Sequence, residues 1–143
     1  MAIGFQVTFD AAEPRKLAEF WALALGYIEQ PPPPGFDTWD AFADSIGLPE
    51  EKRDDLAAAI DPEGVGPRLF FQRVPEPKAA KNRVHLDVHV SAPEERTEER
   101  WRMVTEHVAV LADAGATVLR EVNEPTGRCV VMRDPEGNEF CVQ

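Results

Sequence analysis

Residues 82–90 read N-R-V-H-L-D-V-H-V, an alternation of apolar and polar side chains without a break in phase. Successive side chains of a β-strand point to opposite faces of a sheet, so the pattern predicts a half-buried strand. Its polar face carries two of the three histidines of the chain and one carboxylate, at positions His85, Asp87 and His89. The apolar face consists of Val84, Leu86, Val88 and Val90. Such a polar face is either solvated or part of a functional site.

Length and composition indicate a single globular domain. The chain has 143 residues, of which 43% are hydrophobic and 29% are charged. No run of about 18 apolar residues is present, and the first ten residues lack the basic region of a signal peptide, so we expect a cytoplasmic protein that does not enter a membrane. The net charge of −11 argues against nucleic acid as a partner, because phosphate binding needs a basic surface. It would suit a cationic ligand.

The first half of the chain predicts a strand, a helix and further strands. Residues 3–10 alternate as a first strand, and the apolar spacing of residues 17–25 predicts a helix that ends at Gly26. Short strands are expected at residues 27–30 and 68–74. Between these two strands we predict a helical insertion, with one helix around Trp39 and Phe42 and a second from Pro49 through Leu56 and Ile60.

The second half predicts a long helix and three strands. A capping box at residues 91–94 opens the helix, and Gly115 ends it. Strands follow at residues 117–122, 128–132 and 139–143, the last two joined by the turn D-P-E-G-N at residues 134–138. Cys129 and Cys141 then lie on neighbouring strands, and we expect both thiols to be reduced.

The two halves show a weak internal repeat. When residues 6–10 are placed over residues 85–89, the two strands are in phase, and each leads into a helix that ends at a glycine. Gln6, Thr8 and Asp10 then take the polar positions of His85, Asp87 and His89. A strand, a helix and further strands, repeated twice, predict an α+β fold.

Three stretches carry a resemblance to a known family: VTFDAAEPRKLAEFWALALGY at 7–27, PRLFFQRVPEPKAAKNRVHLDVHV at 67–90 and MRDPEGNEFCV at 132–142. They resemble the glyoxalase-like domain branch of the vicinal oxygen chelate superfamily, which includes glyoxalases, bleomycin resistance proteins and dioxygenases. The resemblance implies one domain over residues 1–143, with modules at 1–77 and 82–143. It further implies that the two βαβββ modules form an open cup-shaped mixed sheet and that the protein is a homodimer.

In members of the superfamily that use a metal, the ligands come from the first and last strands of each module. By resemblance these positions are Gln6, Gln72, His85 and Cys141. Of these, His85 alone is an unqualified ligand for a hard divalent ion, because the acids expected at Gln72 and Cys141 are missing. No metal is therefore favoured as a cofactor, although a divalent metal is possible.

Each candidate residue also has a plain structural interpretation. His85 is either a pocket residue or a structural histidine, and Cys141 as a small buried hydrophobe is favoured over Cys141 as a nucleophile. Trp39 and Phe42 either cover the sheet or line a ligand pocket.

Three functions compete on this sequence, the last of them a role in protein association for a domain whose pocket is vestigial. The first is the binding of a small organic molecule without a catalytic metal, as in resistance or sequestration proteins. The second is a metal-dependent lyase, isomerase or dioxygenase reaction, with His85 and Asp87 as the catalytic pair. The predicted ligand-binding residues are Gln6, Thr8, Trp39, Phe42, Gln72, His85, Asp87 and Cys141.

Overall fold

The computed structural model describes residues 1–92 and 97–143. The chain divides into two compact units, Met1–Pro77 and Lys78–Gln143. None of the helices in the described part of the chain is both long enough and apolar enough to span a membrane.

The first unit is a four-stranded mixed sheet with a helix on one face. The strand order is β1-β4-β3-β2, in which β1 and β4 are parallel and the other pairs are antiparallel. A 3₁₀ helix, Glu50–Asp55, precedes the third strand. The other elements are β1 (Val7–Ala11), α1 (Pro14–Leu25), β2 (Ile28–Glu29), α2 (Trp39–Ser45), β3 (Leu56–Ile60) and β4 (Leu69–Arg73).

The second unit repeats this architecture. Its strand order is β5-β8-β7-β6, with β5 and β8 parallel and the remaining pairs antiparallel. The elements are β5 (Leu86–Val88), α3 (Thr97–Asp113), β6 (Thr117–Glu124), β7 (Gly127–Arg133) and β8 (Glu139–Val142). The predicted α+β fold of two βαβββ modules is thereby confirmed. Their assembly into one cup remains a prediction.

Each unit has its own apolar core between helix and sheet. In the first unit, Phe9 stacks on Phe71 with ring centroids 5.0 Å apart and lies 5.1 Å from the ring of Trp21 on α1. In the second unit, Val104 and Leu111 of α3 are fully buried, and α3 packs on β6, β7 and β8. On α1 the predicted apolar spacing is confirmed at Leu17, Phe20, Trp21 and Ala24, which are buried, whereas Leu25 is half-buried.

The first strand begins later than predicted. Pairing starts at Val7, whose N–H donates to the carbonyl of Arg68, and the apolar residues before it are exposed, Ile3 by 94% and Phe5 by 75%. The strand β1 lies at the edge of its sheet, and residues 1–6 have no strand partner among the described residues. The alternation of apolar and polar residues therefore begins at residue 3, whereas the strand itself begins at Val7, where hydrogen bonding to β4 starts.

The prediction of a second α-helix in the insertion is wrong. Residues 50–55 form a 3₁₀ helix, and Leu56–Ile60 is strand β3 in the interior of the sheet. The sequence L-A-A-A-I has high helix propensity, but pairing with two strands and packing under α1 outweigh that preference. The small side chain of Ala59 lets α1 approach the sheet closely, and Ala59 is completely buried.

The strand quoted at the outset is also shorter than its pattern. Only Leu86–Val88 forms β5, and Val84 is 80% exposed. The backbone N–H of Glu139 donates to the side-chain oxygen of Asn82 (3.2 Å). A side chain thus satisfies the group that a longer β5 would bond, and the strand ends.

The predicted turn at residues 134–138 is present, and the first unit contains a second copy. Asp134 and Asp61 each open a D-P-E-G sequence between the last two strands of their unit. Both carboxylates accept a backbone N–H two residues later, at 2.9 Å, and both turns place their glycine in the left-handed region, at φ +87° for Gly137 and +72° for Gly64. Only glycine enters that region without strain.

The remaining predicted elements are confirmed. Helix α1 ends at Gly26 in the left-handed conformation, α2 contains Trp39 and Phe42, and β6, β7 and β8 lie where the alternation places them. Residues 93 and 94 of the predicted capping box lie outside the described residues.

Candidate functional site

A cavity of about 230 Å³ lies in the first unit, between the helical insertion and the sheet face that α1 does not cover. Strand β4 alternates across its sheet, so Leu69 and Phe71 are buried on the helix side while Arg68 and Phe70 face the cavity. Its lining residues are Arg15, Glu29, Gln30, Trp39, Asp40, Phe42, Ala43, Ile46, Leu48, Lys52, Arg53, Leu56, Ala57, Ala58, Arg68 and Phe70.

Aromatic side chains form one wall of the cavity. The indole N–H of Trp39 donates to the carbonyl of Gln30 at 2.8 Å, which holds the ring against β2. Phe42 packs edge-on against Trp39 and Phe36, with centroids 5.9 and 5.3 Å away. Such edge-to-face arrangements are the favoured geometry of aromatic pairs. The wall is therefore held in place by its own contacts.

Arg68 provides a charged group beside this wall. Its Nε donates to the side-chain oxygen of Gln30 at 2.6 Å, and its Nη1 donates to that of Gln6 at 3.1 Å. The guanidinium carbon lies 5.1 Å from the centroid of the Phe70 ring, within the range of a cation–π interaction. Arg68 is thus held by two neutral amides and one ring.

The other cations of the lining are paired with acids. Arg53 reaches Asp44 at 2.5 Å and Asp40 at 3.4 Å, and it also donates to the Leu48 carbonyl, so it joins the two ends of α2 to the following loop. Arg15 pairs with Asp54 at 3.2 Å, and Lys52 lies 3.8 Å from Asp55. Among the described residues no carboxylate lies within ion-pair distance of Arg68.

The structure brings some of the predicted residues of the first unit into this cavity and leaves others outside it. Trp39 and Phe42 line the cavity, whereas Gln6, Thr8 and Gln72 do not. Gln6 reaches the site indirectly, through its bond to Arg68, and it also contacts the Thr8 hydroxyl at 3.5 Å. Gln72 donates to Asp10 at 2.8 Å instead.

A second cluster lies in the second unit, on β5 and β8. His85 Nε2 is 3.2 Å from Asp87 Oδ1, and one ligand atom from each of His85, Asp87 and Cys141 lies within 4.8 Å of the others. Asp87 faces Cys141 directly in the parallel pairing of the two strands. The side chains of His85 and Asp87 are about half exposed, whereas Cys141 is buried.

The chemistry of Cys141 is set by its burial. Burial, with smaller contributions from the neighbouring Cys129 and Asp87, raises the pKa of the Cys141 thiol to about 12. The thiol is therefore protonated at neutral pH, and both cysteines are free. A nucleophile or a metal ligand requires the thiolate, so this environment disfavours both roles.

The donor set of this cluster does not fit the hard divalent ions that the resemblance implies. Ions such as Mn²⁺ take mainly oxygen ligands, and the cluster offers one carboxylate, one imidazole and one protonated thiol. Zn²⁺ accepts all three donor types, but it would have to displace the thiol proton first. No reaction step through a metal follows from these residues.

Strand pairing also corrects the equivalence of positions between the units. Asp87 faces Cys141 in the second unit, and its counterpart Thr8 faces Phe70 in the first. Phe70, rather than Gln72, is therefore the counterpart of Cys141. Gln72 corresponds to Gln143, which lies 3.3 Å from His89 just as Gln72 contacts Asp10.

Arg68, Phe70 and Arg53 are among the cavity residues that the sequence prediction missed. The alternation of residues 68–74 already places Arg68 and Phe70 on the same face as Gln72, so the signal for these two was present. Arg53 carries no such signal, because its role depends on a 3₁₀ helix that was predicted as an α-helix.

Comparison with known families gives one match that spans nearly the whole chain. The model of the family described as "Glyoxalase-like domain" matches residues 6–143. No curated protein is significantly similar in sequence to this chain.

Solved structures with the same fold are distant in sequence. A glyoxalase/bleomycin resistance protein/dioxygenase family enzyme from Burkholderia phytofirmans PsJN is 17% identical with a TM-score of 0.63, over 96% of this chain and 94% of that one. The fosfomycin resistance protein FosX from Mesorhizobium loti is 12% identical with a TM-score of 0.61, over 100% and 92%. The bleomycin-binding protein of Streptomyces verticillus, solved with copper(II)-bleomycin, is 20% identical with a TM-score of 0.51, over 100% and 96%. At these identities the likeness establishes the fold alone.

Proposed function

The chain belongs to the glyoxalase-like domain family, and from this premise we propose that it binds a small organic molecule in the cavity of the first unit without a catalytic metal. The observation that carries the proposal is that three aromatic rings, those of Trp39, Phe42 and Phe70, line that cavity. Ligand pockets are characteristically concave and apolar with a few polar groups at fixed positions, and this cavity has both features.

The size of the cavity limits the ligand. Pockets for drug-sized molecules measure roughly 300–1,000 Å³. A cavity of about 230 Å³ is smaller, so we expect a molecule or a moiety with one or two rings. The role would be sequestration or resistance, in keeping with the bleomycin-binding and fosfomycin resistance proteins that share the fold.

The proposal is tested with a neutral two-ring probe, 2-naphthalenemethanol. Isothermal titration calorimetry should show saturable binding to the wild-type protein and at least about tenfold weaker binding to Trp39→Leu, because the substitution removes the indole and its bond to Gln30. Trp101→Leu is the matched control, since Trp101 lies on α3 in the other unit. Equal loss in both variants would contradict the proposal, and so would the absence of saturable wild-type binding both of the alcohol and of a carboxylate of the same shape.

A second candidate function rests on the contact between His85 and Asp87, which is the arrangement of a base and its orienting carboxylate. In this alternative the chain is a lyase, isomerase or dioxygenase that depends on a metal. Metal analysis of the purified protein and titration with Mn²⁺, Ni²⁺, Fe²⁺ and Zn²⁺ decide between the two. A stoichiometric ion bound more tightly than about 1 µM, and lost in His85→Ala, would support the enzyme and refute the metal-free proposal.

The homodimer implied by the family resemblance remains a proposal as well. Sedimentation velocity of the purified chain tests it, and a single species of monomer mass at micromolar concentration would refute it.

A further inference from the structure

We infer that Arg68 is an anchor for an anionic group, so that the cavity selects an aromatic carboxylate over neutral or cationic molecules of the same shape. This inference rests on the proposed function and specifies the chemical class of its ligand. It runs against the overall charge of −11, because the nearest charges contribute most to the potential at a site and salt screens distant ones.

The hydrogen bonds of Arg68 leave donors for a ligand. A guanidinium has five N–H groups in one plane, and the contacts to Gln30 and Gln6 use two of them, one on Nε and one on Nη1. The remaining three are one N–H of Nη1 and both N–H groups of Nη2, so each of these two nitrogens has a donor for the same ligand. A carboxylate fits such a planar fork with two parallel hydrogen bonds. The two amides also fix the orientation of the fork before any ligand binds.

The charge of Arg68 is not neutralised by the protein within the described chain. Its neighbours Arg15, Lys52 and Arg53 each pair with an aspartate, whereas the polar partners of Arg68 are amide oxygens. Glu29 also lines the cavity but makes no ion pair with Arg68 within 4.0 Å. Aspartates offset the other three basic side chains of the lining, which leaves Arg68 as its unpaired cation among the described residues.

The position of Arg68 joins the charged and aromatic parts of the cavity. Its guanidinium lies over the Phe70 ring, and Gln30 bonds both Arg68, through its side chain, and the Trp39 indole, through its backbone carbonyl. A ring against this aromatic wall therefore has a cation near its edge. A carboxylate attached directly to such a ring meets Arg68 without a flexible spacer, which keeps the entropy cost of binding low.

The test uses three probes of one shape that differ in charge: 2-naphthoate, 2-naphthalenemethanol and 2-naphthylmethylammonium. Calorimetry at neutral pH should give the order anion, neutral, cation from tightest to weakest, with at least about tenfold between the first two. Arg68→Gln should abolish the preference for naphthoate over the neutral alcohol, so that the two bind within about twofold of each other. Arg68→Lys, which keeps the charge but not the fork, should retain part of the preference.

Arg73→Gln is the matched control, since Arg73 lies on the same strand but on the opposite face and pairs with Asp55 at 3.3 Å. It should leave the order of the three probes unchanged. If the alcohol binds as tightly as naphthoate, or if Arg68→Gln keeps the preference, the inference fails while the proposed function stands. If none of the three probes binds the wild-type protein, the proposed function fails and the inference fails with it.

Discussion

The first and second units share one strand order and one D-P-E-G turn, and they differ in the segment that joins their second and third strands. In the first unit residues 30–55 lie between β2 and β3 and contain α2 and a 3₁₀ helix. In the second unit Pro125 and Thr126 alone join β6 to β7. The helical segment covers one face of its sheet, and the aromatic cavity lies beneath it.

The counterparts across the two sheets differ in the same way. Thr8 faces Phe70 in the first unit, whereas Asp87 faces Cys141 in the second. The cavity face of the first sheet therefore carries the apolar Phe70 and the cationic Arg68, whereas the second sheet carries the titratable cluster of His85, Asp87 and Cys141. The difference teaches that a repeated βαβββ framework specifies positions, while the residues at those positions and the loop above them specify chemistry.

The largest expected effect tests whether the two units have equivalent cores. Phe71→Ala and Phe140→Ala should each lower the free energy of unfolding by about 3–5 kcal/mol, because both rings are completely buried on the last strand of their sheet. Urea denaturation followed by circular dichroism measures this. Phe5→Ala serves as the control and should change the value by less than about 0.5 kcal/mol, since Phe5 is exposed. A loss below about 1 kcal/mol in one unit alone would break the comparison.

The next prediction sharpens the contrast between Phe70 and Cys141. Because burial raises the pKa of the Cys141 thiol to about 12, alkylation of Cys141 by iodoacetamide at pH 8 should be at least about a hundredfold slower than that of a cysteine in a short peptide. Peptide mapping by mass spectrometry gives the rate for each site. A rate similar to that of the peptide would show that Cys141 is available as a thiolate, and the case against a thiolate ligand would weaken.

The repeated turn gives a matched pair of substitutions. Asp134→Ala should lower the free energy of unfolding by about 2 kcal/mol, because a side chain that is 3% exposed accepts bonds from the Glu136 and Asn138 backbones and from the Asn138 amide. Asp61→Ala should cost less, since Asp61 is only half-buried. Thermal unfolding of both variants checks the order. The reverse order would contradict the prediction, because it would mean that burial does not determine how much each aspartate stabilises its turn.

The smallest expected effect is a pH dependence at Asp61. Backbone N–H groups, chiefly those of Gly66 and Glu63, lower the pKa of Asp61 below its usual 3.8. The stabilisation from this carboxylate is therefore complete above about pH 4 and is lost as the pH falls through the lowered pKa. Between about pH 5 and 3 the wild type should lose more stability than Asp61→Asn, as measured by urea midpoints. Parallel pH profiles would contradict the assignment.

Much of the fold could be predicted from the sequence, because the alternation of strands and the apolar spacing of helices involve residues that are close in sequence. The strand around Leu86, the helix that ends at Gly26 and the helix that ends before Gly115 are all specified by neighbours in sequence. The sequence contains a signal that would have corrected the prediction of a helix at Leu56–Ile60. The D-P-E-G copies at Asp61 and Asp134 show that a strand precedes each, and β3 would then follow from β7.

The candidate site was less readable, because it depends on contacts between distant residues. Trp39 and Phe42 were predicted as pocket residues, and both line the cavity. The partners of Arg68 are far apart in the chain, at Gln6 and Gln30, and no local pattern joins them. Gln72 likewise looks equivalent to Cys141 until strand pairing assigns that position to Phe70.

The sequence by itself determined the α+β class, the repeated module and the identity of the polar and apolar strand faces, because side-chain periodicity is a property of adjacent residues. Only the tertiary structure decided where strands begin and end, since that depends on which backbone groups find partners, as at Val7 and Asn82. It also decided that His85, Asp87 and Cys141 form one cluster and that Arg68 lies beside Phe70 in another. The strand predicted at residues 82–90 thus has the predicted polar face but is shorter than predicted.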